Sequence, residues 1–482
     1  MSIYSGYEAV IGLEVHIQLK TKTKAFCGCS TEFGREPNSQ VCPVCLGFPG
    51  ALPVLNRLAL EYAVKVALAL NCKIQEFTKF DRKNYFYPDL PKNYQISQFD
   101  LPLSKDGFLD IYLQGKAKRI GIRRVHLEED AGKLIHKEDF SLVDFNRAGI
   151  PLLEIVSEPQ INSPQEAYEY LSTLKSIVQY LDVSDCDMEK GSLRCDANIS
   201  VREAGAEGLG TKTEVKNMNS FKSVKEALGF EIERQIELLK QDKKIIQETR
   251  LWDAEKLETF SMRTKEESKD YRYFPEPDLP PFIISKDKIE SIRMTIPELP
   301  YQKIQRFMNE YGLSEYDAKV IVFSSKDDAI YAEECMKRLD SSDKKPLVNF
   351  LIGPMMSEAN NRNCGISGLG IPAEEVVSLV QHVQRQDISY LTAKSVLKEV
   401  IDTSQSPTKI IKDKNLIQIS DSNALTKLVD EVIKENPKSV QDYLSGKSNA
   451  IMFLVGQVMK KSNGKANPKI VQEIIKGRLS NA

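Results

Sequence analysis

Hydrophobic and polar positions alternate with period two over residues 9–19. Ala9, Ile11, Leu13, Val15, Ile17 and Leu19 fall on one face, and Gly12, Glu14, His16 and Gln18 fall on the other. This predicts a strand with one face in a core. Further strands are predicted over 119–127, 192–202 and 211–217, and helices over 56–70, 163–181 and 223–239. Ser163 and Pro164 open the second helix as N-cap and first helical residue. Short strands with uneven loops and few helices predict an α+β region with a largely antiparallel sheet, ending near residue 293.

From about residue 294 the period changes to that of helices. Stops are predicted at Gly312, Gly353 and Gly370, and Ser314 with Asp317 makes a capping-box-like start. Residues 403–408 read as a linker or boundary. Short helices are then predicted over 423–434, 439–444, 449–461 and 468–479. The expected domains are 1–293, an all-α domain over 294–405, and a small all-α tail over 406–482.

The length of 482 residues agrees with about three domains. Hydrophobic residues at 41% and charged residues at 28% exclude collagen-like, disordered and disulfide-scaffold chains. No apolar run reaches the ~18–20 residues of a membrane span, so no membrane partner is expected. Met1-Ser2-Ile3-Tyr4 shows no basic-then-apolar leader, and nine scattered or clustered cysteines suit a reducing compartment; the cytoplasm is expected. The formal net charge of -2 argues against a polyanion partner only as a total. Residues 443–482 carry seven Lys or Arg against a single acid, so the molecule is polarised.

Candidate chemistry falls into two groups. Cys27-x-Cys29 and Cys42-Pro43-Val44-Cys45 offer four thiolates in two close pairs, which suits a closed tetrahedral shell around structural Zn2+. Gly28 is expected to permit the tight first pair. The second group is acidic. Glu14 and His16 share a strand face; Glu128-Glu129-Asp130 ends a strand; Asp196 shares a face with Arg194, Asn198 and Arg202; and Glu214 lies between Lys212 and Lys216. Carboxylates and an imidazole set among β-formers suit a hard cation, and magnesium joined to phosphates would fit ATP chemistry. Each residue taken alone also fits a solvated strand face. No Walker spacing precedes Ala131-Gly132-Lys133, and neither a nucleophile elbow nor a kinase signature set is present. Two aromatic-proline loops echo each other, Asn84-Tyr85-Phe86-Tyr87-Pro88-Asp89-Leu90-Pro91 and Tyr271-Arg272-Tyr273-Phe274-Pro275-Glu276-Pro277-Asp278-Leu279-Pro280. They are too rigid and aromatic for plain linkers.

Several long motifs resemble the B-subunit of the aspartyl/glutamyl-tRNA amidotransferases. They are residues 7–20, 79–89, Leu127-Glu128-Glu129-Asp130-Ala131-Gly132-Lys133, 143–159, Gly191-Ser192-Leu193-Arg194-Cys195-Asp196-Ala197-Asn198 and 270–278. The resemblance spans essentially the whole chain. It implies a cradle-shaped catalytic domain, a helical domain and a tail that contacts tRNA. It also implies ATP-dependent activation of the side-chain carboxylate of misacylated Glu-tRNA(Gln) or Asp-tRNA(Asn). Amidation would follow with ammonia from a glutaminase (amidase) partner, the A-subunit, while the small C-subunit ties the assembly together. The expected catalytic residues are then Glu14, His16, Glu129, Asp196 and Glu214, with Glu14, His16, Glu129 and Glu214 holding Mg2+. Lys83, Glu128 and Arg147 are expected at the nucleotide, and Lys460, Lys461 and Lys465 at tRNA. The competing reading is a zinc-stapled tRNA-binding or assembly protein without chemistry of its own.

Overall fold

The computed structural model describes residues 3–4, 6–113, 115–264, 271–417, 422–447, 449–462 and 466–480. The chain divides into two compact units, Met1–Pro300 and Tyr301–Ala482.

The first unit is built on β1 (Tyr7–Gln18), α1 (Arg57–Ala69), β2 (Asp81–Asn84), β3 (Tyr94–Ser97), β4 (Ser104–Leu113), β5 (Lys116–Glu129) and β6 (Pro151–Ser157). It continues with α2 (Pro164–Tyr180), β7 (Leu193–Glu203), β8 (Thr213–Lys216), α3 (Phe221–Lys240), β9 (Glu248–Asp253), β10 (Glu258–Thr264) and β11 (Phe274–Pro275). A 10-stranded sheet runs in the order β10-β9-β8-β7-β1-β6-β5-β4, with the short strand Lys73–Ile74 at the edge beside β4 and Ile3–Tyr4 paired to the start of β1. Every pairing among these eight strands is antiparallel except β8 with β9, so the expected α+β class with a largely antiparallel sheet is observed. A second, three-stranded sheet has the order β11-β2-β3.

The alternation read in β1 sets which face is core. Ile11, Leu13, Val15 and Ile17 are fully buried, together with Val125, Leu127, Leu153, Ile155, Cys195, Ala197 and Val215 from neighbouring strands. α1, α2 and α3 pack on this face, and one hydrophobic cluster joins them to the sheet. Each helix begins at a capping side chain: Asn56 accepts from Leu58 and Ala59, Ser163 from Glu166, and Ser220 from Ser223. The third helix therefore starts at Phe221, two residues before the expected Ser223, because Ser220 supplies the cap. In the large sheet β4, β6, β9 and β10 are additional to the strands expected. β6 is buried on both faces and reads as a continuous apolar run rather than an alternation. In β4, Asp106 is left-handed at φ 53°, while the register with β5 is the same on either side of it.

The second unit is helical throughout its described residues. Gly312 and Gly370 end their elements with φ of 67° and 71°. Gly353 does not: it lies inside a π-helical turn, Leu351–Met355. Pro354 cannot donate there, and the hydrogen-bond ladder widens to accommodate it. Ser314 caps Glu315–Ser324 as expected, accepting from Asp317 N at 3.1 Å. At 403–408 the break is short, because Tyr390–Thr403 ends in left-handed Ser404 and Ser406 already caps Pro407–Asp413. The last helices, Ser422–Glu435, Pro437–Leu444, Ala450–Lys461 and Pro468–Ser480, share a separate core centred on Leu425, Val429, Leu454, Val458, Val471 and Ile475.

Candidate functional site

Antiparallel register turns the polar face of the large sheet into a single constellation. In one row across four strands, His126 of β5 stands opposite Glu154 of β6, Glu154 opposite His16 of β1, and His16 opposite Arg194 of β7. In the adjoining row on this face Glu14 faces Asp196, and in the row beyond it Asn198 faces Glu214 of β8. Directly opposed residues share a face, so these side chains gather without any long loop to carry them.

The tightest part is His16, Glu128 and Glu154, whose ligand atoms all lie within 4.8 Å of one another. His16 Nε2 is 3.4 Å from Glu154 and 3.7 Å from Glu128; His126 Nε2 is 3.5 Å and 3.7 Å from the same carboxylates. Burial pushes the Glu154 carboxyl up, but His126, His16 and Lys83 outweigh this and hold it well below the usual carboxylate range. Glu128 is likewise lowered against burial by His126, with Lys83 and His16 assisting. The His16 imidazole is raised: burial disfavours its charge, and Glu154 and Glu128 overcome that. Two anionic carboxylates facing two imidazoles are a donor set for a divalent cation. The Nδ1 of buried His126, on the ring edge away from these carboxylates, has no hydrogen-bond partner among the described residues.

Beside it, Glu14 accepts from Asn198 Nδ2 at 3.0 Å, and its carboxyl is raised by burial and by Glu154, with Lys216 opposing. Lys216 reaches both Asp196 and, at 3.1 Å, Glu214, while Thr249 donates to Glu214 at 2.8 Å. Lys83, on β2, is raised because Glu128, Tyr273 and Glu154 outweigh the burial that would lower it.

The expected residues divide accordingly. Glu14, His16, Asp196, Glu214 and Glu128 share the polar face. Glu129 does not join them, a correction that follows from strand alternation: successive side chains point to opposite faces, and Glu128 takes the inner one. Glu129 instead pairs with Lys92 and accepts from Ile96 N at 2.9 Å, beside a cavity of about 190 Å³ lined by Lys24, Cys45 and Lys92. Of the magnesium set expected as Glu14, His16, Glu129 and Glu214, His16 is the member that falls in the tight cluster, with Glu128 and Glu154 as its neighbours. Arg147 donates to the carbonyls of Ala131 and Gly132 at 2.9 and 2.6 Å and lies 3.7 Å from Asp130, which Arg194 also reaches at 2.8 Å. Glu154 and His126 do not stand out from the sequence. A lone carboxylate inside the apolar run 152–156 is the available signal for Glu154.

The cysteine quartet closes as its spacing predicts, with Cys27, Cys29, Cys42 and Cys45 Sγ atoms within 4.8 Å of one another. Cys45 accepts from Cys42 N at 3.2 Å and from Lys24 Nζ at 3.6 Å. The Cys45 thiol is lowered to about 4, chiefly by hydrogen bonding with Cys27, while burial pushes Cys29 up to about 11. A metal held here would have four protein ligands. Gly28 proves dispensable to the backbone, since a Cβ would meet nothing within 4 Å and its φ is not left-handed. The glycine that matters is Gly149, at φ +87°, where a Cβ would sit 3.3 Å from Lys24 and 3.6 Å from Cys45.

In the tail, Lys460 and Lys461 are exposed at the end of Ala450–Lys461. Lys461 already bridges Glu431 at 3.0 Å and Glu435 at 2.7 Å. Lys465 lies outside the described residues. No helix among the described residues is long and apolar enough to cross a membrane.

Comparison with known proteins follows the two units. A family profile described as the GatB/GatE catalytic domain matches residues 9–290, and one described as the GatB domain matches residues 331–479. The chain is 53% identical over 479 residues to the aspartyl/glutamyl-tRNA(Asn/Gln) amidotransferase B-subunit of Carboxydothermus hydrogenoformans, covering 98% of this chain and 99% of that one. It is 55% identical over 475 residues to the protein of the same name from Caldanaerobacter subterraneus, with coverage of 98% and 99%. With the Moorella thermoacetica counterpart it shares 54% identity over 477 residues, covering 98% and 100%. Identity above half over nearly the full length of each relative, with both profiles matched in order, makes the assignment plain: the chain belongs to the B-subunit family of the aspartyl/glutamyl-tRNA(Asn/Gln) amidotransferases.

Proposed function

We propose that this chain activates the side-chain carboxylate of misacylated Glu-tRNA(Gln), Asp-tRNA(Asn) or both with ATP, and that ammonia from a glutaminase partner then converts it to the amide. A carboxylate is a poor electrophile at neutral pH. Its oxygen attacks the γ-phosphorus of ATP, ADP leaves, and the acyl phosphate so formed has a good leaving group. Ammonia adds to the acyl carbon, phosphate departs, and a proton is released.

The observation that carries this reading is the buried His16–Glu128–Glu154 cluster on a chain of this family. A protein that only bound tRNA would gain nothing from two buried anionic carboxylates, which are costly to desolvate. Glu128, Glu154 and His16 would hold Mg2+, which when bound offsets charge on the phosphoryl group. Lys83 and Arg124 supply cations toward phosphate oxygens, and Lys216 bridges Asp196 and Glu214 beside Glu14. We assign the cysteine quartet to structural Zn2+. We further assign residues 406–482 to tRNA backbone contact, with Lys460 a better candidate than the already paired Lys461. The three-part division at about 293 and 405 belongs to the same reading, as does a cytoplasmic location with the glutaminase and the small C-subunit as partners.

The test is co-expression with the two partner proteins, followed by assay of both misacylated tRNAs with ATP and glutamine. Amide formed on at least one is the expected result; product on neither overturns the reading.

A further inference from the structure

The two loops that echo each other in sequence are neighbours in space. Asn84 N–H donates to the Tyr271 carbonyl at 2.9 Å, and the Asn84 side chain donates to the Arg272 carbonyl at 2.8 Å. Just beyond, Phe274 pairs with Arg82 in the β11-β2-β3 sheet. The ladder thus fixes both loops to one frame, and the aromatic side chains of each come together. Tyr85 and Tyr271 are 5.8 Å apart edge to face, Tyr271 and Tyr273 are 6.1 Å apart, and Tyr273 stacks on Phe99 at 4.1 Å and 8°.

These rings do not form a core. Phe86 is 63% exposed, Tyr271 38%, and Phe99 and Tyr87 each 49%. A contiguous exposed group of large rings on a rigid frame marks a binding surface rather than packing. Arg272, between Tyr271 and Tyr273, holds φ +43°, a region that side chains other than glycine rarely occupy. Cations are interleaved with the rings: Lys83 Nζ is 4.9 Å from the Tyr271 centroid, and Arg272 Cζ is 5.9 Å from that of Phe86. Ser97, on β3 beside β2, donates to Glu128 at 3.1 Å, and Lys83 and the Tyr273 hydroxyl lie in the field of Glu128 and Glu154, so the rim adjoins the carboxylate cluster.

We propose that this aromatic rim receives the single-stranded 3′ end of the aminoacyl-tRNA, its unpaired bases stacking on Phe86 and Tyr271 and its phosphates meeting Arg272. Rings alternating with cations over two loops match the repeating base and phosphate of a single strand. A lone nucleotide would need one slot. The proposal rests on the amidation reading above, because that chemistry requires the aminoacyl end to reach the cluster.

The test uses the assembly with both partner proteins and two readouts. In steady-state kinetics, Phe86→Ala and Tyr271→Ala raise KM for misacylated tRNA about tenfold, with KM for ATP within twofold. Tyr271→Phe, which keeps the ring, stays near wild type. In binding, a short unacylated RNA hairpin with a four-nucleotide 3′ overhang is compared with its blunt form. The wild-type assembly prefers the overhang, and both alanine variants lose that preference. Unchanged tRNA KM and overhang preference in the alanine variants would overturn the proposal. So would a rise in ATP KM alone, or a loss in Tyr271→Phe as large as in Tyr271→Ala. Because the hairpin needs no chemistry, an assembly that amidates neither tRNA would refute the amidation reading while the overhang preference still judges the rim.

Discussion

The cysteine quartet and the His16–Glu128–Glu154 cluster are both groups of ligating side chains within 4.8 Å, yet they are built in opposite ways. The quartet comes from 19 consecutive residues and supplies four protein ligands, so a metal there would have no vacant position. The carboxylate cluster comes from three strands, β1, β5 and β6, and is made by register alone. One is a local staple. The other is a site whose parts have no meaning apart from the sheet.

That contrast predicts different failures. Glu154→Gln removes one of two anions facing His16 and His126, and is expected to lower kcat of the assembled enzyme by at least ~10²-fold. tRNA affinity should stay within twofold. If kcat holds, the cluster is structural and the contrast collapses. Cys45→Ser should do the reverse. Bound zinc, measured by elemental analysis, should fall to none, and the unfolding midpoint of the full chain should drop by roughly 5–10 °C. Activity per folded molecule would change little.

Lys216→Met tests the second row of the sheet face. With Asp196 and Glu214 left without their shared cation, about a tenfold loss in kcat is expected, and Lys216→Arg should recover most of it. The smallest effect concerns Glu333 in the helical unit, a carboxylate enclosed by cations rather than imidazoles. Arg306 at 2.9 Å, Lys337 at 2.8 Å and Lys303 at 3.1 Å hold its carboxyl far below the ordinary value of 4.5. A depressed carboxyl stabilises the fold above its unfolded value, and that contribution fades as pH falls below about 4.5. Glu333→Gln should therefore lower the unfolding midpoint by a degree or two at pH 7. The gap should close progressively in acid, and kcat should not move. A gap constant with pH would show that the ion pairs contribute nothing.

Legibility in the sequence follows the same division. The alternation of β1 correctly separates Glu14 and His16 from the core, and the caps Ser163 and Ser314 locate their helices. Glu129 is expected in the cluster because its motif contains two adjacent acids, and only the parity of β5 decides between them. Glu154 escapes because β6 has no polar face to read: both of its sides are buried, so its one carboxylate looks like part of a long motif. Gly353 resembles a stop because its pairing with Pro354 within a π-turn depends on hydrogen bonds four and five residues away.

The sequence by itself determined the fold class, the cysteine shell, the polarity of each alternating strand and the family, because these rest on period, spacing and long contiguous motifs. Only the tertiary structure decided which acids meet which histidines and that two distant aromatic loops share one rim. Strand order and register are set by the packing of α1, α2 and α3 on the far face of the sheet. No local pattern on the near face records them.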